Sequence, residues 1–191
     1  MLKPQFTIAY LSLLVFLTSS NLVAGQVSRE GECPKVEPME NFSTKAYLGK
    51  WYVYSGYPFA NDLGARCQQV EFTAGPNANT LYVTFTQINA SSQKEIRSGT
   101  AKVVGSSIQI RYDGTGSAVR NFDYVVLGAD YENFSVIYNC SNNSLSHAEN
   151  LWIRTRKRNP NKDIIKEAEQ VIKKAGLSLV ELKIADQADC N

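Results

Sequence analysis

The chain has very little histidine and no marked excess of charge. Its single histidine is His147, and its formal net charge is +2 over 191 residues. One histidine cannot supply the clustered imidazoles of a multi-histidine zinc site, so we expect no metal. The near balance of charge argues against nucleic acid or an anionic membrane as the main partner.

The chain also lacks an apolar run of about 20 residues, the length that spans a membrane. Its longest apolar stretch, from Phe6 to Leu17, follows Lys3 and precedes a short region that ends in Val23 and Gly25. This order is typical of a secretory signal peptide, residues 1–25, with cleavage before Gln26. We therefore expect a secreted, extracellular protein without stable membrane insertion, in which residues 26–191 form one domain.

Four cysteines in a secreted chain predict disulfide bonds rather than free thiols. They are Cys33, Cys67, Cys140 and Cys190. Four cysteines allow three pairings, and their spacing alone does not select one of them.

Short stretches of alternating apolar and polar residues, separated by turn-forming residues, predict an all-β domain. The predicted strands cover residues 50–59, 66–73, 80–88, 94–104, 107–113, 120–129, 133–140 and 148–156. Eight strands with short connections indicate an up-and-down antiparallel barrel, because closing the sheet removes both of its edges. A barrel of this size can hold one small ligand among its inward side chains.

The apolar period changes after the last of these strands. Apolar residues recur at helical spacing from Ile164 to Ala175, between a start signal at Asn161 and a stop signal at Gly176. This pattern predicts one C-terminal amphipathic helix packed on the outside of the barrel. Residues 179–184 predict a short final strand beside the first.

Three short motifs follow one another along the chain. Gly49 and Trp51 open the first strand, Asp130 and Tyr131 follow the sixth, and Arg156 closes the eighth. We expect Trp51 to plug one end of the barrel. In this order the motifs resemble the three signature regions of the lipocalin family, and the four cysteines resemble those of its apolipoprotein D and insect bilin-binding branch. The resemblance covers nearly all of the chain after the first thirty or so residues.

This resemblance implies more than the residues show by themselves. It implies the disulfides Cys33–Cys140 and Cys67–Cys190, which would fasten the N-terminal segment and the C-terminal tail to the barrel. It also implies a carrier rather than an enzyme, with no required cofactor and with a fatty acid, retinoid, sterol or bilin pigment bound inside the barrel.

Alternation along the strands predicts which side chains line that interior. The set is rich in aromatic rings, whose faces suit flat conjugated or long apolar ligands. The predicted ligand-binding residues are Val53, Ser55, Tyr57, Phe59, Phe72, Val83, Phe85, Ile110, Tyr112, Phe122, Tyr124, Ile137 and Trp152. Arg97 or Arg120, near strand ends, is a candidate partner for an acidic headgroup. Residues 59–65 are expected to arch over the mouth as a lid.

Other functions need features that the sequence offers only weakly. A hydrolase or a haem carrier would depend on His147, which we expect in an exposed loop. A prostaglandin-isomerase-like lipocalin would need Cys67 as a free thiol, whereas we expect it to be oxidised. An interaction protein acting through a receptor or a lipoprotein would be favoured by an exposed apolar ring at the mouth, such as Phe59.

Five Asn-X-Ser/Thr sequons are present. Those at Asn89, Asn142 and Asn41 lie in predicted loops and are the candidate glycosylation sites, in that order. We discount Asn133, in a tight turn, and Asn139, beside a cysteine expected to be bridged.

Overall fold

The structure is a computed structural model that describes residues 26–59, 62–114 and 121–190. Its centre is a barrel of antiparallel strands. In chain order the elements are β1 (Val27–Glu30), α1 (Thr44–Tyr47), β2 (Gly49–Gly56), β3 (Arg66–Ala74), β4 (Thr80–Ile88), β5 (Lys94–Val104), β6 (Ser107–Tyr112), β7 (Phe122–Ala129), β8 (Phe134–Asn142), β9 (Ser146–Thr155), α2 (Lys162–Lys174) and β10 (Lys183–Ile184). The predicted signal peptide, residues 1–25, falls outside the described residues and stays a prediction.

Each strand from β2 to β8 pairs with the next along the chain, and β9 pairs with β2 to close the barrel. This confirms the predicted eight-stranded up-and-down barrel. Two short strands extend it, since β1 pairs with the start of β9 and β10 pairs with the end of β2. The predicted final strand, 179–184, is shorter than expected, because only Lys183 and Ile184 form ladder pairs with β2. β1 and α1 have four residues each, too few to produce a sequence period.

A bulge in β2 reverses the alternation of its side chains. Val53 lies opposite Arg154 of β9, whereas Ser55 lies opposite the adjacent Ile153. Tyr54 is therefore an extra residue in β2, and the facing of every later residue of the strand is inverted.

The bulge makes two of the predicted facings wrong. Ser55 shares the face of Ile153, which belongs to the outer hydrophobic cluster. Tyr57 packs in the same outer cluster, and its hydroxyl donates to the Ser178 carbonyl oxygen at 2.7 Å. Neither side chain faces the interior of the barrel, because simple alternation does not allow for an inserted residue.

Two hydrophobic cores lie on opposite sides of the barrel wall. The inner core fills one end of the barrel, and its fully buried side chains include Trp51, Phe72 and Val83. The outer core lies between α2 and the strands it covers, β7 and β8. Since the inner core closes one end, space for a ligand lies toward the other.

The helix α2 starts and stops where the sequence signals predict. The Asn161 side chain accepts from the Asp163 N–H at 3.0 Å, which caps the first turn. Gly176 follows the last turn with a φ of +73°, a conformation that favours glycine. Ile165 and Ile172 are buried against the barrel wall, as expected for the apolar stripe.

Two disulfides attach the ends of the described chain to the barrel. Cys33 is bonded to Cys140 of β8, and Cys190 to Cys67 of β3. These are the pairs that the family resemblance implied. Among the described residues, no helix has both the length and the apolar character needed to cross a membrane.

Candidate ligand-binding site

A cavity of about 60 Å³ lies inside the barrel, at the end opposite Trp51. It is lined by seven of the eight barrel strands and by the segment after β2. The lining residues are Val53, Phe59, Asp62, Gln68, Phe85, Gln87, Arg97, Ile110, Tyr112, Phe122, Tyr124, Trp152 and Arg154. We call this cavity the calyx.

Aromatic rings form most of the apolar wall of the calyx. Phe59 lies edge-on to Phe122 and to Trp152, with ring centroids 5.8 and 6.0 Å away. Tyr112 meets Phe122 in the same way at 6.3 Å. These edge-to-face pairs form a continuous apolar surface toward the cavity, which suits a lipophilic guest.

The position of the Trp152 ring requires a glycine at position 56. A Cβ atom on Gly56 would stand 2.5 Å from Cδ1 of Trp152 and 2.9 Å from the Leu151 carbonyl oxygen. Only glycine therefore lets β2 pass this close to β9 at the mouth.

Most of the predicted ligand-binding residues meet in the calyx, but some do not. Phe72, Val83 and Ile137 face the interior, yet they lie deeper, in the inner core. Ser55 and Tyr57 are outside the barrel. The residues that do line the calyx are Val53, Phe59, Phe85, Ile110, Tyr112, Phe122, Tyr124 and Trp152.

The closed end of the barrel is built from the signature residues. The Trp51 indole donates to the Tyr47 carbonyl oxygen at 2.9 Å, and the Arg156 guanidinium covers its ring. Gly49 has a φ of +93°, and a Cβ there would lie 3.2 Å from Arg156 Nη1. Trp51 plugs this end, as predicted, and the absence of a side chain at Gly49 makes room for Arg156.

The other two signature residues shape the turn after β7. Asp130 accepts from the backbone N–H groups of Asn133 and Phe134 at 2.7 and 2.9 Å. Tyr131 has a φ of +64°, and its hydroxyl accepts from the Ser43 N–H at 2.8 Å. This turn fastens the segment before α1 across the closed end.

A chain of hydrogen bonds crosses the rim of the calyx. Gln68 Nε2 donates to Asp62 at 2.7 Å and to Gln87 at 3.1 Å, and Gln87 donates to Glu95 at 2.8 Å. Glu95 also accepts from Arg97 at 3.1 Å. Arg97, predicted as a headgroup partner, therefore has its charge balanced by a carboxylate. Arg120, the other candidate, lies outside the described residues.

Two carboxyl groups on this rim have pKa values shifted in opposite directions. Burial raises the pKa of Asp62, although hydrogen bonds from Gln68 and Trp152 lower it in part. Hydrogen bonds from Asn89 and Gln87 hold the pKa of Glu95 below its ordinary value. Asp62 therefore gains a proton more readily than an ordinary aspartate, and Glu95 less readily than an ordinary glutamate.

Arg154 is a lining residue that was not predicted from the sequence. Its side chain is buried, and Nη1 donates to the Tyr124 hydroxyl at 2.9 Å. Burial lowers the pKa of Arg154, but neighbouring tyrosines raise it more, so the guanidinium stays charged. Burial raises the pKa of Tyr124, which stays neutral. Alternation from Trp152 indicates the inward facing of Arg154, but the basic residues Arg156, Lys157 and Arg158 that follow obscure this signal.

His147 is not in an exposed loop, and that expectation is wrong. It lies in β9 with 5% of its surface exposed, and Arg29 of the neighbouring strand β1 pairs with it in the sheet. Its Nδ1 lies 3.0 Å from the Gly31 carbonyl oxygen, and since a carbonyl can only accept, Nδ1 carries the proton. His147 does not line the calyx. A haem ligand or catalytic base inside the barrel therefore finds no support in this residue.

Two further alternatives lose their structural basis. Cys67 is in a disulfide, and no described cysteine is free, so an isomerase-like thiol is missing from the described chain. Phe59 is 6% exposed and points into the calyx, which contradicts the exposed ring expected for an interaction surface. Residues 26–59, 62–114 and 121–190 contain no group of three or more side chains placed to hold a metal ion.

The candidate glycosylation sites differ in their surroundings. Asn89 is half-buried in the β4–β5 turn, where Nδ2 donates to Glu95 at 2.9 Å. Asn142 and Asn41 are exposed, and the Asn142 carbonyl accepts from the Cys33 N–H at 2.7 Å. Occupancy of these sites stays a prediction.

Comparisons with known proteins agree with this geometry. The sequence model of the lipocalin and cytosolic fatty-acid binding protein family matches residues 48–189. Apolipoprotein D of Cavia porcellus is 25% identical over 190 residues, covering 93% of this chain and 96% of that protein.

Solved structures share the fold at lower identity. Insecticyanin of the tobacco hornworm Manduca sexta has a TM-score of 0.79 and 20% identity, and the match covers 87% of this chain and 93% of that one. Lobster apocrustacyanin A1 has a TM-score of 0.72 and 19% identity, with 85% and 92% covered.

Proposed function

The chain belongs to the lipocalin family, and from that premise we propose that it is a secreted carrier holding one small lipophilic molecule in its calyx. The observation that carries the proposal is the calyx itself, an aromatic-walled space closed at one end by the inner core. Candidate ligands are fatty acids, retinoids, sterols and bilin pigments, and none is required for folding.

The calyx must widen to accept ligands of this size. Its volume of about 60 Å³ is well below the 300–1,000 Å³ typical of sites for small molecules. A second cavity of about 270 Å³ adjoins it across the mouth. The residues that line both spaces are Val53, Phe59, Asp62, Gln68 and Trp152. Outward rotation of the Phe59 ring would join them, so we propose that this ring moves when a ligand enters.

Burial of apolar surface is sufficient to drive such binding. Covering roughly 250–400 Å² of ligand at ~25 cal/mol per Å² gives about 6–10 kcal/mol before the costs of association. This supports reversible binding in the micromolar to sub-micromolar range without a covalent bond.

Secretion is part of the proposal. Disulfides persist in oxidising compartments, and both pairs join parts of the chain more than 100 residues apart. Expression in a secreting eukaryotic cell should release a protein whose N-terminal residue is Gln26. Retention inside the cell with residues 1–25 intact would contradict this part.

We also propose that the protein does not catalyse a reaction on its ligand. In the described chain, the calyx lining includes neither histidine nor cysteine. A ligand incubated with the protein and extracted into organic solvent should keep its mass, and a protein-dependent product would contradict the proposal.

The main experiment is a titration with retinoic acid, arachidonate and biliverdin, followed by tryptophan fluorescence. Trp152 lines the calyx, so a bound ligand should quench emission saturably, and Trp152→Phe should remove most of the change. Absence of saturable quenching with every ligand would contradict the carrier function.

A matched pair of variants tests the location. Phe85 faces the calyx, whereas Tyr82, on the same strand, is 51% exposed. Phe85→Arg should abolish uptake in a folded protein, and Tyr82→Arg should not. Equal uptake by both would place the ligand outside the barrel.

A further inference from the structure

Arg154 brings a positive charge into the calyx without a carboxylate to balance it. Its side chain is nine-tenths buried and lines the cavity wall. The guanidinium carbon lies 5.1 Å from the centroid of the Tyr124 ring, and Nη1 donates to the hydroxyl of the same residue. The Nε–H group has no hydrogen-bond partner.

Two other arginines near the barrel interior and wall are paired with carboxylates, whereas Arg66, Arg156 and Arg158 are only half-buried and donate to carbonyl or amide oxygens. Arg97 bonds Glu95, and Arg29 bonds Glu149 and Glu181. No ion pair of the described chain includes Arg154. All Asp and Glu residues of the sequence fall within residues 26–59, 62–114 and 121–190, so no acidic side chain has been overlooked.

An unpaired buried cation is unfavourable unless something compensates it. Removing a charge from water costs several kcal/mol in a protein, and a neutral phenol recovers only part of this. A carboxylate that reached the free Nε–H would make a charge-assisted hydrogen bond in a water-poor site, where such bonds are strong.

The charge at the rim has the opposite sign to that of Arg154. Asp62 lies at the mouth, on both the calyx and the adjoining cavity. A ligand with a cationic head at depth would face Arg154 directly. A ligand with its anion at depth and its apolar tail toward the mouth would match Arg154 and the aromatic wall together.

We infer that the calyx takes an amphipathic organic anion, with its acidic head inserted first to meet Arg154. This inference rests on the proposed carrier function and narrows its ligand class. Arg154 is then the residue that determines specificity, and Phe85, Phe122 and Trp152 contact the tail.

Three ten-carbon probes test the inference on the wild-type protein. Decanoate, decanol and decylamine differ only in the head and carry a negative, zero and positive charge at pH 7. Calorimetry and Trp152 quenching should show that decanoate binds at least about tenfold more tightly than decanol. Decylamine should bind most weakly.

Variants then assign the preference to one side chain. Arg154→Gln keeps a donor for Tyr124 and removes the charge, so decanoate affinity should fall about tenfold while decanol affinity stays within about threefold. Arg97→Gln is the matched control, since Arg97 lines the same cavity but is paired with Glu95. It should reduce decanoate binding much less.

The outcomes distinguish failure of this inference from failure of the proposed carrier function. If decanol or decylamine binds as tightly as decanoate, the inferred preference for an anion inserted head first is wrong. The proposed carrier function is then unaffected. If no decyl probe binds and the larger ligands also fail, both are wrong. If Arg154→Gln does not fold, the wild-type comparison of decanoate with decanol decides alone.

Discussion

The guanidinium carbon of Arg156 lies 3.6 Å from the centroid of the Trp51 ring. From this position Arg156 donates to the carbonyl oxygens of Tyr131, Lys50 and Ala46 at 2.8, 2.9 and 3.1 Å. One side chain thus joins the turn after β7, the start of β2 and α1 over the closed end of the barrel.

Arg156→Ala should destabilise the protein by about 2–4 kcal/mol, because it removes the stacking and leaves three carbonyl groups without their donor. Chemical denaturation monitored by circular dichroism measures the change. The neighbouring Lys157→Ala, at an exposed position, should change the free energy of unfolding by less than about 0.5 kcal/mol. Equal effects would show that the closed end does not depend on this stacking.

Phe59→Ala should open the mouth of the calyx. The ring lies across the aromatic wall, between Phe122 and Trp152. We expect both association and dissociation rates of the ligand to rise on the order of tenfold, measured by stopped-flow quenching. Tyr82→Ala, on β4 and 51% exposed, is the control, since Tyr82 lines neither the calyx nor the adjoining cavity. Unchanged rates in Phe59→Ala would mean that this ring does not control entry.

Tyr57→Phe tests the outward facing that follows from the bulge at Tyr54. Loss of the hydrogen bond to the Ser178 carbonyl oxygen should cost about 1 kcal/mol of stability. Ligand affinity should not change, because Tyr57 does not line the calyx and the removed hydroxyl is bonded to Ser178. A loss of affinity without a loss of stability would show that Tyr57 faces the interior, as simple alternation along β2 predicts.

Glu181→Gln should change how stability depends on acid. Hydrogen bonds from Ser178 and then from Arg29 hold the pKa of Glu181 below its ordinary value of 4.5. Because the folded state prefers the charged form, this stabilisation is present above the unfolded pKa and is lost as the pH falls through the folded pKa.

The variant should therefore be less stable than the wild type at pH 7, by no more than about 1 kcal/mol, and the two should converge at low pH. Denaturant midpoints between pH 7 and pH 3 measure this, with the exposed Glu167→Gln as control. A constant difference across this range would rule out the ion pair as its source.

Asp62 should make anion binding sensitive to pH. Since burial raises its pKa, Asp62 gains a proton as the pH falls, and its repulsion of an anion in the calyx is then removed. Decyl sulfate, which stays ionised, should bind more tightly at pH 4, close to the ordinary pKa of an aspartate, than at pH 7. Asp62→Asn should bind about two- to fivefold more tightly at pH 7 and lose this dependence. A pH dependence that survives in Asp62→Asn would assign it to another group.

The architecture could be predicted because its determinants are local. Alternation placed Phe85, Ile110, Tyr112 and Phe122 on the inner face, and the caps of α2 defined both of its ends. Each of these patterns depends only on neighbours in sequence. Once the barrel is closed, the apolar face of each strand must point to its interior or to the covering helix.

The errors arose where distant parts of the chain decide the outcome. Nothing in the residues around Tyr54 shows that an extra residue lies there, since the bulge is defined by the pairing of β2 with β9. His147 belongs to a strand because β1, more than 100 residues away in the sequence, pairs with the start of β9. Arg154 was not among the predicted lining residues, although its alternation with Trp152 indicates an inward position.

Gln26 lies beside Phe59 and Phe122 at the rim, and the Cys67–Cys190 bond holds the tail at the start of β3, on the same side. Any label, affinity tag or fusion partner joined at Gln26 or next to Cys190 would therefore stand next to the entrance. Immobilising the protein through such a tag would obstruct ligand entry, whereas attachment through the exposed face of α2 would leave the route clear.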